Sequence, residues 1–167
     1  MGIKGLSKFI KLYAPSGIEE IKIDNLRNLT IGFDTSILIY QFVIAVRNHG
    51  KDLTNETGQI TSHVHATIMK TLSFLKKKIN PIFVIDGKPP AIKLDTLKER
   101  GKIRQDATNE LVNNTMLDDE QKIKLMKQSV VITHEQMDEC VQMFKLLGMP
   151  TIKAKQEADA QCAYLSK

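Results

Sequence analysis

Residues 81–90, PIFVIDGKPP, constrain the fold more than any other stretch of the chain. Residues 82–85 are apolar without alternation, the pattern of a strand covered on both faces. The strand stops on a carboxylate, Asp86. Asp86-Gly87 is a common turn pair, but Pro89 and Pro90 follow, and neither can donate to a returning strand. A hairpin is therefore disfavoured, and a parallel sheet is expected. In open α/β sheets, ligands gather outside the carboxyl ends of the strands. Asp86 stands where a functional group is expected.

A second apolar run, residues 29–33, also stops on an acid, Asp34. Thr35 and Ser36 then suit a helix entry, and residues 37–46 form a largely apolar helix. Val64, Ile68, Leu72, Leu75 and Ile79 recur at helical steps and lead into the 82–85 strand. Two parallel strands joined through helices place Asp34 and Asp86 at one edge of a sheet. Residues 151–154 make a third short strand. Glu157 and Asp159 follow it at the start of another helix.

Upstream, Leu6, Phe9, Ile10 and Tyr13 mark a helical face ended by Pro15 and Gly17. Residues 48–59 read as a surface loop. Residues 91–112 are helix-prone and basic, with Lys93, Leu97, Arg100 and Arg104 on one stripe. Asp118 with Gln121, and Thr133 with Gln136, are capping pairs for two more helices. Gly148 ends the second of these, with Pro150 beyond it.

Each acid taken singly has a structural explanation. A turn accounts for Asp86, a helix cap for Asp34, and the helix dipole for Glu157 and Asp159. Taken together, four carboxylates at one sheet edge repel one another unless a cation neutralises them. Oxygen-only donors suit Mg²⁺ or Mn²⁺, and carboxylate-bound pairs of such ions hydrolyse phosphodiesters. The basic stripe is either a solvated helix face or a surface for the substrate's phosphates.

Other chemistries fit poorly. The chain has no GxxxxGK[ST] loop and no GxGxxG after a strand. His63 and His65 point to different sides of a helix, which disfavours zinc. Cys140 and Cys162 form no CxxC pair and are expected as free thiols in a reducing, intracellular setting. The formal charge of +5 is compatible with a polyanionic partner. No apolar run is long enough to span a membrane, so no membrane association is expected.

The residues also carry a resemblance. The opening MGIKGL, the segments GFDTS at 32–36 and YQFVIAVR at 40–47, TSH at 61–63, DGKPP at 86–90 and EADAQCA at 157–163 resemble the flap endonucleases, structure-specific 5′ nucleases of the XPG superfamily. The resemblance runs in order along the whole chain and corresponds to the N-terminal half of such a protein. It implies an α/β, PIN-like nuclease core with a parallel sheet flanked by helices and crossed by a helical arch. It divides the chain into an N-terminal nuclease region (1–103), an arch or cap (104–131) and the start of an internal nuclease region (132–167). Asp34, Asp86, Glu157 and Asp159 match metal-site acids, although the family usually has Glu where Asp159 stands. A complete domain would hold two Mg²⁺ ions, or Mn²⁺. Lys93 and Arg100 match the basic pair at the scissile phosphate, and Tyr40 matches a residue on which a nucleobase stacks. Gly2, Arg47, Lys70 and Arg104 match further DNA-contact positions.

The implied activity is metal-dependent hydrolysis of DNA at 5′-flap junctions, with 5′–3′ exonuclease action, in replication and repair. The family's downstream aspartates, its helix-hairpin-helix module and its C-terminal sliding-clamp peptide have no counterpart in these residues, so the chain alone is expected to be inactive or weak. A monomer is implied, with a nuclear location in a eukaryote. The alternatives are a non-catalytic DNA-binding lobe of the same fold and a related 5′ exonuclease.

Overall fold

The computed structural model describes residues 5–47 and 52–167. Three parallel strands, β1 (Thr30–Asp34), β2 (Asn80–Ile85) and β3 (Thr151–Lys153), lie in the order β1-β2-β3. Asp34 is level with Val84, and Ile85 is level with Lys153. The three carboxyl ends therefore share one edge. The β1–β2 crossover runs through α2 (Thr35–Val46) and α3 (Ser62–Lys76). The β2–β3 crossover runs through α4 (Leu94–Asn113), α5 (Asp119–Gln128) and α6 (His134–Leu146). Helix α1 (Leu6–Tyr13) precedes the sheet and α7 (Ala158–Leu165) follows it.

Strand β2 is central, and Phe83 and Val84 point to opposite faces, both fully buried. Phe83 faces a core built from Ile39, Val43, Ala66, Val130, Cys140 and Phe144. Its ring stacks on Phe144 at 3.7 Å between centroids. Val84 faces the other way, onto Ala154 and Ala158 at the entry to α7. Helices thus cover both faces, as the unbroken apolar run predicts. Strand β1 departs from that expectation. It is an edge strand with Thr30 and Gly32 exposed, and Leu29 beside it is open to solvent.

Helix α3 forms where its periodicity places it, but its apolar stripe is not its buried face. Leu72 and Leu75 are about 40% exposed, whereas Ser62, His63, Ala66, Thr67 and Thr71 are buried. Small side chains let α3 approach its neighbours closely. The threonine hydroxyls donate to carbonyls one turn back, Thr67 to His63 (2.7 Å) and Thr71 to Thr67 (2.8 Å), so burial leaves them paired. His63 Nε2 meets Glu139 of α6.

Both capping pairs form reciprocal boxes at Asp118–Gln121 and Thr133–Gln136. Gly148 takes a φ of 70° just beyond α6, a conformation that glycine adopts without strain. Helices α4 and α5 pair with each other around Ala107, Leu111, Leu117 and Leu125, a cluster separate from the main core. The expected boundary at residue 104 falls inside α4, which runs through it unbroken.

Candidate active site

The site begins with the ends of β1 and β2. Asp34 is the last residue of β1 and the N-cap of α2, where its Oδ1 accepts from the Ile37 amide at 3.1 Å. Asp86 lies one residue past β2. Its Oδ2 accepts from the Ser36 hydroxyl at 2.7 Å and its Oδ1 from the Ala158 amide at 2.9 Å. Asp86 thus joins β2 to the first turn of α2 and to the entry of α7. The next residue must be glycine. A Cβ on Gly87 would sit 2.2 Å from the Ala154 carbonyl oxygen and 2.7 Å from that of Lys155. Free of that Cβ, the Gly87 amide donates to the Gln156 carbonyl at 2.6 Å, which ties the end of β2 to the residue before Glu157.

Asp34, Asp86 and Asp159 lie near enough for the charges of the latter two to act on the first. Burial pushes the Asp34 carboxyl above its ordinary range, and the Asp86 and Asp159 charges push it further, against the Ile37 and Ser36 amides, which pull it down. Burial likewise raises the Cys162 thiol, and Asp34, Asp159 and Asp86 add to the effect. Cys162 therefore lies beside the acids on α7. Glu157 is arranged differently. It is the N-cap residue of α7 but makes no cap bond, and its carboxylate instead forms an ion pair with Lys93. Among the described residues, no three His, Cys, Asp or Glu side chains are close enough together to hold a metal ion.

The expected basic and aromatic residues fall into two groups. Lys93 ends a 3-10 turn and enters α4, and Arg100 lies seven residues on, half-buried and without an ion pair among the described residues. The others already have protein partners. Arg47 makes a two-pronged bond to Asp52, 2.7 Å at both Nε and Nη2, and Asp52 also accepts from Ser62 at 3.0 Å. That arrangement ties the end of α2 to the start of α3. Lys70 sits over the Phe42 and Phe74 rings, 5.0 and 5.4 Å from their centroids. The Arg104 guanidinium lies 5.0 Å from the centre of the Tyr40 ring, and the Tyr40 hydroxyl accepts from the Ile132 amide at 3.5 Å. One face of Tyr40 is thus already occupied. Gly2 lies outside the described residues.

Three residues around the acids escape a reading from sequence patterns. Ser36 reads only as a helix-entry residue, Gly87 only as a turn residue, and Cys162 only as a free thiol. The clue for Ser36 is its spacing, since two residues past a strand-end acid puts its hydroxyl on the same edge.

The XPG N-terminal domain model matches residues 1–107. The chain belongs to this family. Over its full length it is 42% identical to flap endonuclease 1 of Nematostella vectensis and 41% identical to that of Chlamydomonas reinhardtii. It covers 45% and 43% of those proteins, so it spans less than half the length of the curated relatives it matches. Among solved structures, it is similar to the catalytic core of Rad2 in complex with DNA substrate, with a TM-score of 0.62 at 26% identity, over 95% of this chain and 42% of that one. It is also similar to flap endonuclease-1 from Methanococcus jannaschii, with a TM-score of 0.60 at 25% identity, over 89% of this chain and 48% of that one. The parallel sheet flanked by helices is the fold of these nuclease cores, of which the chain covers part.

Proposed function

We propose that the chain forms the metal- and phosphate-binding part of a structure-specific 5′ nuclease that hydrolyses DNA at 5′-flap junctions. The observation that carries this reading is the parallel register that ends β1 on Asp34 and β2 just before Asp86 at one sheet edge, where Asp86 also bonds the entry of α7, the helix whose first turn carries Asp159. Family membership and the likeness to flap endonucleases along the whole chain support it.

The donor chemistry suits a hard divalent cation. The cluster is all oxygen, and its mutual repulsion is what a cation relieves. Asp34, Asp86 and Asp159 would have to draw closer than they stand here to hold it, with Glu157 joining once Lys93 turns to a phosphate. Mg²⁺ is the expected ion, Mn²⁺ a substitute, and a complete domain would hold two. Such an ion would supply Lewis-acid polarisation of the phosphate and a water acidic enough to attack it. The chain's own part is to orient the DNA and stabilise charge. Lys93 and Arg100 would hold the non-bridging oxygens of the scissile phosphate and stabilise their growing charge. Tyr40 would offer its ring to a terminal base, and a π-face accepts any base. Arg104, Lys70, Arg47 and Gly2 would contact the backbone beyond. Specificity would then follow DNA shape rather than sequence. The pair α4–α5, within residues 104–131, would serve as the arch. In a complete protein this activity would serve replication and repair, in the nucleus if the source is a eukaryote, with a sliding clamp as partner.

Calorimetry with Mn²⁺ and binding of labelled 5′-flap DNA in Ca²⁺ test this. The chain should bind Mn²⁺, and Asp86→Asn should abolish that binding. Flap DNA should bind more tightly than a blunt duplex, and Lys93→Ala should lower the salt slope by about one. Cleavage by the chain alone should be weak, and vigorous Mg²⁺-dependent cutting would refute that part.

A second reading is a non-catalytic DNA-binding lobe. It is favoured by the Lys93–Glu157 pair, which neutralises one acid with a protein cation. Flap binding without any Mn²⁺ binding would select it.

A further inference from the structure

We infer that Ser36 is a positioning residue whose hydroxyl, together with the Ala158 amide, locks the Asp86 carboxylate in one orientation beside Asp34. The inference rests on the metal-site reading above and names what holds that site in shape.

Asp86 stands beyond the last residue of β2, outside the strand's own ladder. A side chain there samples several χ1 wells. Repulsion from Asp34 favours those that turn it away from the cluster. Two donors oppose this. The Ser36 hydroxyl takes Oδ2 at 2.7 Å and the Ala158 amide takes Oδ1 at 2.9 Å. Each oxygen keeps a further lone pair for a cation. Ser36 itself is fixed, because it lies in the first turn of α2, capped by the Asp34 side chain. Its backbone amide also acts on the Asp34 carboxyl. Ser36 therefore stands between the two acids, in the turn that Asp34 caps and with its hydroxyl on Asp86, and sets their spacing.

The neighbouring hydroxyl supplies a control. Thr35 is fully buried, and its Oγ1 has no hydrogen-bond partner among the described residues. Two adjacent hydroxyls stand at the same helix entry, and only that of Ser36 reaches an acid. Outer-shell donors of this kind orient metal ligands, and losing one costs about tenfold or more in metal affinity.

The test uses the chain with Ser36→Ala, Ser36→Thr and Thr35→Val. The Asp86 χ1 rotamer is read from NMR scalar couplings without metal, and Mn²⁺ affinity from electron paramagnetic resonance. The parent should show one Asp86 rotamer. Ser36→Ala should average it and weaken Mn²⁺ binding about tenfold. Ser36→Thr should restore both, and Thr35→Val should change neither. Dispersed amide spectra confirm folding. A single Asp86 rotamer in Ser36→Ala, with unchanged Mn²⁺ affinity, overturns the assignment. If the parent binds no Mn²⁺ yet Ser36→Ala still frees the rotamer, Ser36 keeps its positioning role and the metal reading fails instead.

Discussion

Asp34 ends β1, caps α2 and faces two other carboxylates, so a single side chain serves both the fold and the site. Its place was legible because an apolar run stopping on an acid is a local pattern. Ser36, Gly87 and Cys162 were not legible, since their importance depends on residues 50 to 128 positions away that come near only in the fold. Gly87→Ala should force its neighbours apart at the Ala154 and Lys155 carbonyls. Overpacking of this kind costs roughly 1–3 kcal/mol, and urea unfolding at equilibrium measures it. Cys140 gives a pH signature. Burial is the main cause that pushes its thiol from 9.0 up to about 11, against the Thr67 hydroxyl. A folded pKa above the unfolded one means that the associated stability is complete below pH 9 and is lost as pH rises towards 11. The loss approaches about 3 kcal/mol at about 1.4 kcal/mol per pH unit. Cys140→Ala should weaken this alkaline fall in the urea midpoint. Iodoacetamide at pH 8 should label Cys140 only after unfolding.

Elements set by neighbouring residues are legible in the sequence, and those set by distant packing are less so. Both capping boxes and the glycine after α6 lie where the sequence puts them, because each depends on residues three or four apart. The buried face of α3 was misleading. Its leucines look outward while His63, Thr67 and Thr71 look inward, a choice made by close packing and paired hydroxyls rather than by hydrophobicity. Strand β1, like β2, is an apolar run in the sequence, yet its edge position leaves Thr30 and Gly32 open. The pair α4–α5 rests on a small cluster of its own. Leu125→Ala removes a large part of that cluster, and such a change in a core costs roughly 2–5 kcal/mol. The pair should therefore open locally. Hydrogen exchange should quicken across α4 and α5 while the amides of β2 keep their protection. Equal loss of protection in β2 would show that the pair and the sheet unfold together.

At the scale of the molecule, α1 stands out because it buries nothing. Phe9 and Tyr13 are 60% and 69% exposed, their rings 4.7 Å apart, and Leu6 and Leu12 are also exposed. Contiguous apolar surface of this kind favours association. The chain, expected to be a monomer, should therefore self-associate as concentration rises. Sedimentation velocity should show this, and Phe9→Ser with Tyr13→Ser should return it towards the monomer. No helix among the described residues is long and apolar enough to cross a membrane. The Asp86 anchors have a further consequence, one of timing. The contact with Ser36 spans 50 residues and that with Ala158 spans 72. Contacts between distant residues close late, because the entropy of the intervening loop opposes them. On a ribosome, where domains fold as the chain emerges, β1, α2, α3 and β2 are available to pair while β3 and α7 are still unmade. Asp34 and Asp86 can then meet early, but the second anchor on Asp86 waits for the Ala158 amide. The acid cluster thus takes shape only after α7 has joined the sheet, later than the pairing of β1 with β2.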